Sequence, residues 1–173
     1  MNFITLLISI LVLSGCSVFN DLRRDTLLKA GQNWELNNHQ GLNYLKANDF
    51  TKAQAKFHQA LNDAKNCGVN DLRIAITLNN IAGVYELQHN YPAAIDVLEQ
   101  ANNIAKANQN TTVWLNSQYN LARLLALNGQ NKLSLILYKE VFSELKTRNK
   151  AYGLDINKVY TEYLDLLEKT KNQ

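Results

Sequence analysis

The most regular pattern of small, large and polar residues lies at residues 78–101, in the middle of the chain. Residues three or four apart share one face of a helix, so these spacings predict two short helices that pack against each other. The facing residues are Ala82, Tyr85, Ala94, Leu98 and Ala101. Between the helices lie Tyr91 and Pro92, and proline suits the first turn of a helix because the amide it lacks would have no partner there. The pattern predicts a helical hairpin.

The same pattern occurs once before this hairpin and once after it. The earlier set is Gly41, Tyr44, Ala53, Phe57 and Ala60, and the later set is Ala122, Leu125, Ser134, Tyr138 and Val141. The sets are offset by 41 and 40 residues, which predicts three stacked hairpins within residues 27–145. A polar stretch with Gly153 follows, and then an apolar stripe formed by Val159, Tyr163, Leu166 and Leu167. This stripe predicts one amphipathic helix that covers the last hairpin, so residues 146–173 are interpreted as a linker and a capping helix.

The combination Gly41-x-x-Tyr44 with Ala53-x-x-x-Phe57-x-x-Ala60 resembles the tetratricopeptide repeat (TPR). The resemblance covers residues 34–145 and implies an all-α, right-handed α-solenoid of about three hairpins. Because the family's usual repeat has about 34 residues, the spacing here is similar to a longer variant. The extra residues fall at 64–76 and 105–116, around the predicted helix caps Asn70–Asp71 and Thr111–Thr112.

The first sixteen residues contain an apolar run followed by Leu13-Ser14-Gly15-Cys16. The run is short for a transmembrane helix, which needs about 20 residues, and it is typical of a secretory signal. The last four residues resemble the lipobox of bacterial lipoproteins. This resemblance implies a signal peptide at 1–15, lipid such as palmitate on Cys16, a polar tether at 16–26 and, because Ser17 follows the cysteine, delivery to the periplasmic face of the outer membrane.

Cys67 and the pair Arg23 and Arg24 each have two interpretations. Lipidation of Cys16 would leave Cys67 alone, either as a half-buried thiol at a helix end or as half of an intermolecular disulfide. Arg23 and Arg24 are either solvated charges in the tether or contacts to anionic lipid head groups.

Composition argues against several kinds of function. A net charge of +3 from 18 basic and 15 acidic side chains, without a long basic run, makes nucleic acid a poor partner. His39, His58 and His89 fall on a first helix, a second helix and a turn, so they are interpreted as surface residues and no metal site is predicted. Catalytic motifs are absent from the sequence, and we expect neither enzyme activity nor a cofactor other than the covalent lipid.

The family resemblance also implies a groove, lined by the first helices of successive hairpins, that binds a protein or peptide. The positions that match it are Asn38, Leu42, Asn79, Asn80, Gly83, Glu86, Asn116, Tyr119, Asn120 and Arg123. Side-chain amides suit a peptide backbone, and Tyr119 and Arg123 are anchors of the kind that dominate interfaces. Gly83 has no side chain, so it leaves space in the middle of the groove for the close approach of a ligand backbone or of a neighbouring helix. With 24 asparagines in the chain, ordinary solvated surface remains the alternative.

Two hypotheses for function follow. The first is a lipid-anchored adaptor that holds a protein partner in cell-envelope, pilus or secretion-machinery assembly. The second is a self-associating structural lipoprotein of the envelope. The sequence leaves the oligomeric state and the identity of the partner open.

Overall fold

Seven α-helices joined by short turns form the described part of the chain. The computed structural model describes residues 3–68, 71–148 and 153–171, with side chains in 20–68, 71–147 and 153–171. The helices are α1 (Phe3–Lys46), α2 (Phe50–Cys67), α3 (Leu72–Leu87), α4 (Tyr91–Ala107), α5 (Thr111–Leu127), α6 (Asn131–Arg148) and α7 (Ile156–Lys171). Within these ranges there is no strand, and the all-α prediction is confirmed.

The helices pair into three hairpins, α1–α2, α3–α4 and α5–α6, and the second helix of each packs on the next helix along the chain. This arrangement is the predicted TPR-like solenoid. The small and large residues that define the repeat are buried between its helices; those with no exposed surface are Ala53, Phe57, Ala60, Ala94, Leu98, Ala101, Ala122, Ser134 and Val141. The predicted packing pattern is therefore confirmed in all three hairpins.

Gly41 shows why a small residue is needed in the first hairpin. A Cβ atom built on Gly41 would lie 2.5 Å from Cε1 of Phe57, well inside van der Waals contact. The aromatic ring occupies the space that a side chain at position 41 would take, so glycine permits the close approach of α1 and α2.

The turns inside the hairpins share one backbone conformation. Asn48, His89 and Gly129 have φ angles of 59°, 58° and 78°, and they end α1, α3 and α5 at the spacing of the repeat. In the first two turns the next residue, Asp49 or Asn90, caps the following helix with its side chain, and Pro92 lies in the first turn of α4 as predicted. The turns inside the hairpins thus recur with the same spacing as the helices.

The turns between hairpins confirm one predicted cap and correct the other. Asp71 caps α3, because its carboxylate accepts a hydrogen bond from the backbone N of Arg73. Asn70 lies outside the described residues. For α5 the prediction of Thr111–Thr112 is wrong: the cap is Asn110, whose Oδ1 accepts from the backbone N of Val113 at 3.0 Å. Both threonines already lie inside the helix.

Helix α1 is much longer than its partner α2. It runs without a break from Phe3, so residues 17–26, which the sequence suggests as a polar tether, are helical. The side chain of Cys16 lies outside the described side chains, and the boundaries of the signal, lipidated and tether segments remain predictions. Of the helices in the described ranges, none combines the length and the apolar character needed to cross a membrane.

Helix α7 covers the end of the third hairpin, as predicted. Val159 and Leu166 are buried against α5 and α6, in a cluster that also holds Tyr119, Tyr138 and Val141, with Tyr163 packed at its edge. One face of the amphipathic helix thus completes the core of the last hairpin.

Candidate protein-binding groove

All ten predicted groove residues lie on the first helices of the hairpins, α1, α3 and α5. Leu42, Gly83 and Arg123 are equivalent positions, 41 and 40 residues apart. Leu42 is partly buried against the core, while Gly83 and Arg123 are half-buried. Counted from Arg123 with an offset of 41 residues, Leu164 on α7 continues this row and is exposed. The structure therefore places Leu42, Gly83 and Arg123 in one row along the first helices, and Leu164 continues it.

Gly83 has open space where a side chain would be. A Cβ atom built on it meets no heavy atom within 4 Å, in contrast to Gly41. The interpretation that a neighbouring helix approaches Gly83 is therefore wrong, and the approach of a ligand remains. Glycine inside a helix costs about 0.5–1 kcal/mol of stability relative to alanine, and nothing in the packing of α3 compensates for this cost.

The asparagines of the groove bind one another across neighbouring helices. Asn80 Nδ2 donates to Asn38 Oδ1 at 2.8 Å, which joins α3 to α1. Asn79 Nδ2 donates to Ser117 Oγ at 2.7 Å, and Asn120 Nδ2 donates to Asn79 Oδ1 at 3.5 Å, so α5 is joined to α3 twice. Some of the side-chain amides that were predicted to bind a ligand thus form hydrogen bonds within the chain, and these bonds hold the hairpins in register.

Asn116 is oriented along its own helix. Its Nδ2 donates to the backbone carbonyl of Thr112 at 2.8 Å. It remains half-buried on the predicted face of α5, one turn before Asn120.

Arg123 is paired within the chain instead of being a free cation. Its guanidinium forms a two-pronged ion pair with the carboxylate of Glu86, in which Nη1 donates to Oε1 and Nη2 donates to Oε2 at 2.7 Å. The hydrogen bonds that Arg123 donates to Glu86 raise the pKa of Arg123 above its ordinary value, so the guanidinium stays charged over the whole physiological range. Because the two charges cancel, Arg123 alone is a poor anchor for an acidic ligand.

Tyr119 corrects the sequence prediction most clearly. It was expected as an exposed anchor, but only 7% of its surface is exposed. Its hydroxyl donates to Glu162 Oε1 at 3.1 Å, and the hydroxyl of Tyr138 donates to Glu162 Oε2 at 2.9 Å. The physical reason is that α7 packs over this part of α5, so Tyr119 joins α7 to the solenoid and does not face a ligand.

We name the cluster of Tyr119, Tyr138 and Glu162 the tyrosine clamp. The sequence did not indicate a role for Glu162. Burial, together with the nearby carboxylate, raises the pKa of both tyrosines, so both hydroxyls remain donors at any pH near neutrality. One sequence signal could have found Glu162: it lies three residues after Val159 and four before Leu166, on the apolar face of α7.

A cleft of about 710 Å³ opens beside the clamp, between the end of α5, the start of α6 and α7. Its lining mixes charged and apolar groups, namely Arg123, Leu127, Tyr138, Glu162, Asp165 and Lys169. Leu127 is exposed, and so is the equivalent Leu87 of the second hairpin. Each leucine lies four residues after a residue of the groove row, Arg123 or Gly83, and therefore borders the groove on the same helix face.

The histidines and Cys67 are not among the predicted groove residues. His39, His58 and His89 are exposed, which confirms their interpretation as surface residues. No cluster of three or more histidine, cysteine or acidic side chains suited to a metal occurs among the described residues. The thiol of Cys67 is half-buried and donates to the backbone carbonyl of Asp63 at 3.4 Å, and burial raises its pKa. The predicted half-buried thiol is confirmed, whereas an intermolecular disulfide remains a prediction.

Comparison with protein families identifies one match. The family described as Tetratricopeptide repeat matches residues 35–107, which span the end of α1 through α4. No curated protein matches the sequence. The third hairpin lies beyond the matched residues, and its repeat character rests on the fold.

Solved structures show the same fold over most of the chain. Aspartyl phosphate phosphatase F from Bacillus subtilis is 15% identical, with a TM-score of 0.66 over 84% of this chain. The match covers 38% of the length of that phosphatase. Nearly identical TPR-like repeats of a Podosopora anserina protein described as a kinesin light chain are 20% identical, with a TM-score of 0.57 over 83% of this chain and 73% of theirs. At these identities the likeness concerns the fold.

Proposed function

We propose that the protein is a lipid-anchored scaffold that binds a protein partner in the groove of its first helices, at the periplasmic face of a bacterial outer membrane. The partner belongs to cell-envelope, pilus or secretion-machinery assembly in this proposal. A TPR-like solenoid supports a binding role, because stacked hairpins present an extended surface suited to peptides. Enzyme activity is not part of the proposal.

The observation that carries the proposal is the open space over Gly83. Alanine would fit there without touching any other atom, and it would favour the helix by about 0.5–1 kcal/mol. The glycine thus reduces stability without helping the chain to pack. The close approach of a ligand backbone to α3 at this point would explain why the position is a glycine.

The surroundings of Gly83 define the partner's chemistry. Leu87 and Leu127 offer exposed apolar contacts at the edge of the groove, and Leu164 extends these toward α7. The Glu86–Arg123 pair is neutral overall. We therefore propose a segment with small backbone-exposing residues opposite Gly83 and apolar side chains on both sides of them, instead of a free carboxyl-terminal motif.

The lipid anchor rests on the lipobox-like residues 13–16. Cleavage before Cys16 would leave the lipid at the start of the helical segment that continues into the first hairpin. Ala30 is the first buried core residue among the described side chains. At about 1.5 Å per helical residue, the lipid would be about 20 Å from this residue, so a stiff helix sets the distance between membrane and solenoid.

Site-specific photocrosslinking tests the groove. A photoreactive amino acid replaces Leu87, an exposed residue that borders the groove one turn after Gly83, in the full-length protein in its host. The matched control carries it at Asn103, an exposed position on α4. We expect a discrete crosslinked protein from position 87 that is absent from position 103 and is lost when Leu127 and Leu164 are changed to Asp. Identical products from both positions would contradict the groove.

Membrane fractionation tests the anchor separately. Cys16→Ala should move the protein from the membrane to the soluble fraction and stop incorporation of labelled palmitate, because the acylated sulfur is removed. Cys67→Ala is the matched control and should change neither readout. Labelled, membrane-bound Cys16→Ala protein would contradict the anchor without affecting the groove.

A further inference from the structure

An ion pair lies within the row of groove residues, between Glu86 of α3 and Arg123 of α5. The guanidinium donates through both of its Nη atoms to the two carboxylate oxygens. Arginine binds carboxylates in this two-pronged geometry whether they belong to the same chain or to a ligand. The carboxylate of Glu86 thus occupies the place on Arg123 that the carboxylate of a ligand would take.

The hairpins stack without such a pair at the other contact between first helices. At the contact of α1 with α3 the equivalent positions are Leu45 and Gly83, which lie 41 residues before Glu86 and 40 before Arg123, and neither is charged. Hydrogen bonds between uncharged side chains join the helices at both contacts. The ion pair is therefore an addition to the packing of the repeat, and its position in the groove gives it a different use.

Arg123 is within reach of a ligand. Its side chain is 32% exposed, and it also lines the cleft of about 710 Å³ beside the tyrosine clamp. Besides the hydrogen bonds to Glu86, the charge of Glu162 raises the pKa of Arg123, but both oxygens of Glu162 already accept from buried tyrosines. Loss of the carboxylate at position 86 would therefore leave an accessible guanidinium without its two-pronged partner.

We propose that Glu86 determines the specificity of the groove by blocking a carboxylate-binding site on Arg123. With Glu86 in place the site is filled and the pair is neutral, so the groove accepts uncharged segments and rejects acidic side chains and free carboxyl termini. Without this carboxylate, the same groove binds carboxylates. The inference rests on the proposed function where it concerns the partner, but small carboxylates test the blocked site without any partner.

Acetate tests the blocked site, because it is the part of the glutamate side chain that Glu86→Ala removes. The full-length variant is melted in detergent in about 0.2 M sodium acetate and in sodium chloride of the same concentration, followed by circular dichroism. We expect a melting temperature about 2–4 °C higher in acetate, because acetate binds only the folded state. Glu35→Ala, which removes an exposed carboxylate of α1 and changes the net charge equally, should show no difference, and neither should Glu86→Ala combined with Arg123→Gln.

N-acetyl-leucine and N-acetyl-leucinamide test the specificity, since one ends in a carboxylate and the other in an uncharged amide. By isothermal titration calorimetry, the unchanged protein should not distinguish them. Glu86→Ala should bind the acid about tenfold more tightly than the amide, because only the acid forms charged hydrogen bonds with Arg123. A pair with a purely structural role would change stability without producing this preference.

Two results would overturn the proposal. One is an equal melting temperature of Glu86→Ala in acetate and in chloride, with unchanged helix content; the other is a preference for the acid in the unchanged protein. If Glu86→Ala does not fold, Glu86→Gln, which keeps the shape of the side chain, replaces it in the comparison of acid with amide, and equal binding of the two contradicts the proposal. Crosslinking from Leu87 tests the groove independently, so either idea can fail while the other holds.

Discussion

The first two hairpins and the C-terminal end of the molecule are held together in different ways. Between α1 and α4 a large apolar core, with alanines that admit large neighbours such as Phe57, is joined by single hydrogen bonds between uncharged side chains, such as Asn80 to Asn38. Between α5 and α7 the apolar packing is joined by the tyrosine clamp, in which one carboxylate accepts from two buried hydroxyls. The comparison shows that apolar shape dominates the packing of the first two hairpins, whereas at the C-terminal end a carboxylate shared by two buried hydroxyls is part of the core.

The largest effect is expected from the apolar end. Phe57→Ala should reduce the free energy of unfolding by about 3–5 kcal/mol, because it removes a fully buried ring and leaves a cavity beside Gly41. Urea denaturation followed by circular dichroism measures this loss. Leu127→Ala, at an exposed position, is the control and should cost well under half as much; equal losses would show that burial does not distinguish the two sites.

A smaller and more local effect is expected from a substitution in the tyrosine clamp. Glu162→Ala leaves two buried hydroxyls without their acceptor, which costs about 1–3 kcal/mol. Hydrogen exchange should show faster exchange in α7 and unchanged exchange in α3 and α4. Asp165→Ala, an exposed carboxylate on the same helix, should leave the exchange of α7 as it is. Uniformly faster exchange throughout the chain would contradict a local clamp.

Alkaline pH should weaken the clamp and spare the apolar end. The pKa values of Tyr119 and Tyr138 are raised in the folded protein, mainly by burial, so the folded state holds their protons more tightly than the unfolded state does. The resulting stability is fully present below about pH 10, the ordinary tyrosine pKa, and is lost as the pH rises above it. Tyrosinate absorbance and melting temperature between pH 9 and 12 should show this loss, and Tyr138→Phe should make it shallower. An unchanged slope in that variant would contradict the assignment.

The same contrast explains what the sequence could predict. Burial follows from residue size and helical spacing, so the three hairpins, the contact of Gly41 with Phe57 and the buried face of α7 were all predictable. The polar contacts were not, because a hydrogen bond depends on which of several neighbouring side chains reaches across. Glu86 and Arg123 were both predicted to face a ligand, yet they neutralise each other. Tyr119 was expected in the groove because the register places it on the first helix, but the register alone does not show that α7 covers it.

The central claim concerns Gly83, which the sequence identified and the structure leaves without an internal role. Gly83→Ala should stabilise the protein by about 0.5–1 kcal/mol and weaken binding to the partner captured by crosslinking beside Gly83, because the new methyl group occupies the space left for the ligand. The measurement is urea denaturation combined with the binding affinity of that partner for the same variant. Increased stability with reduced affinity is the predicted result; increased stability with unchanged affinity would contradict the groove.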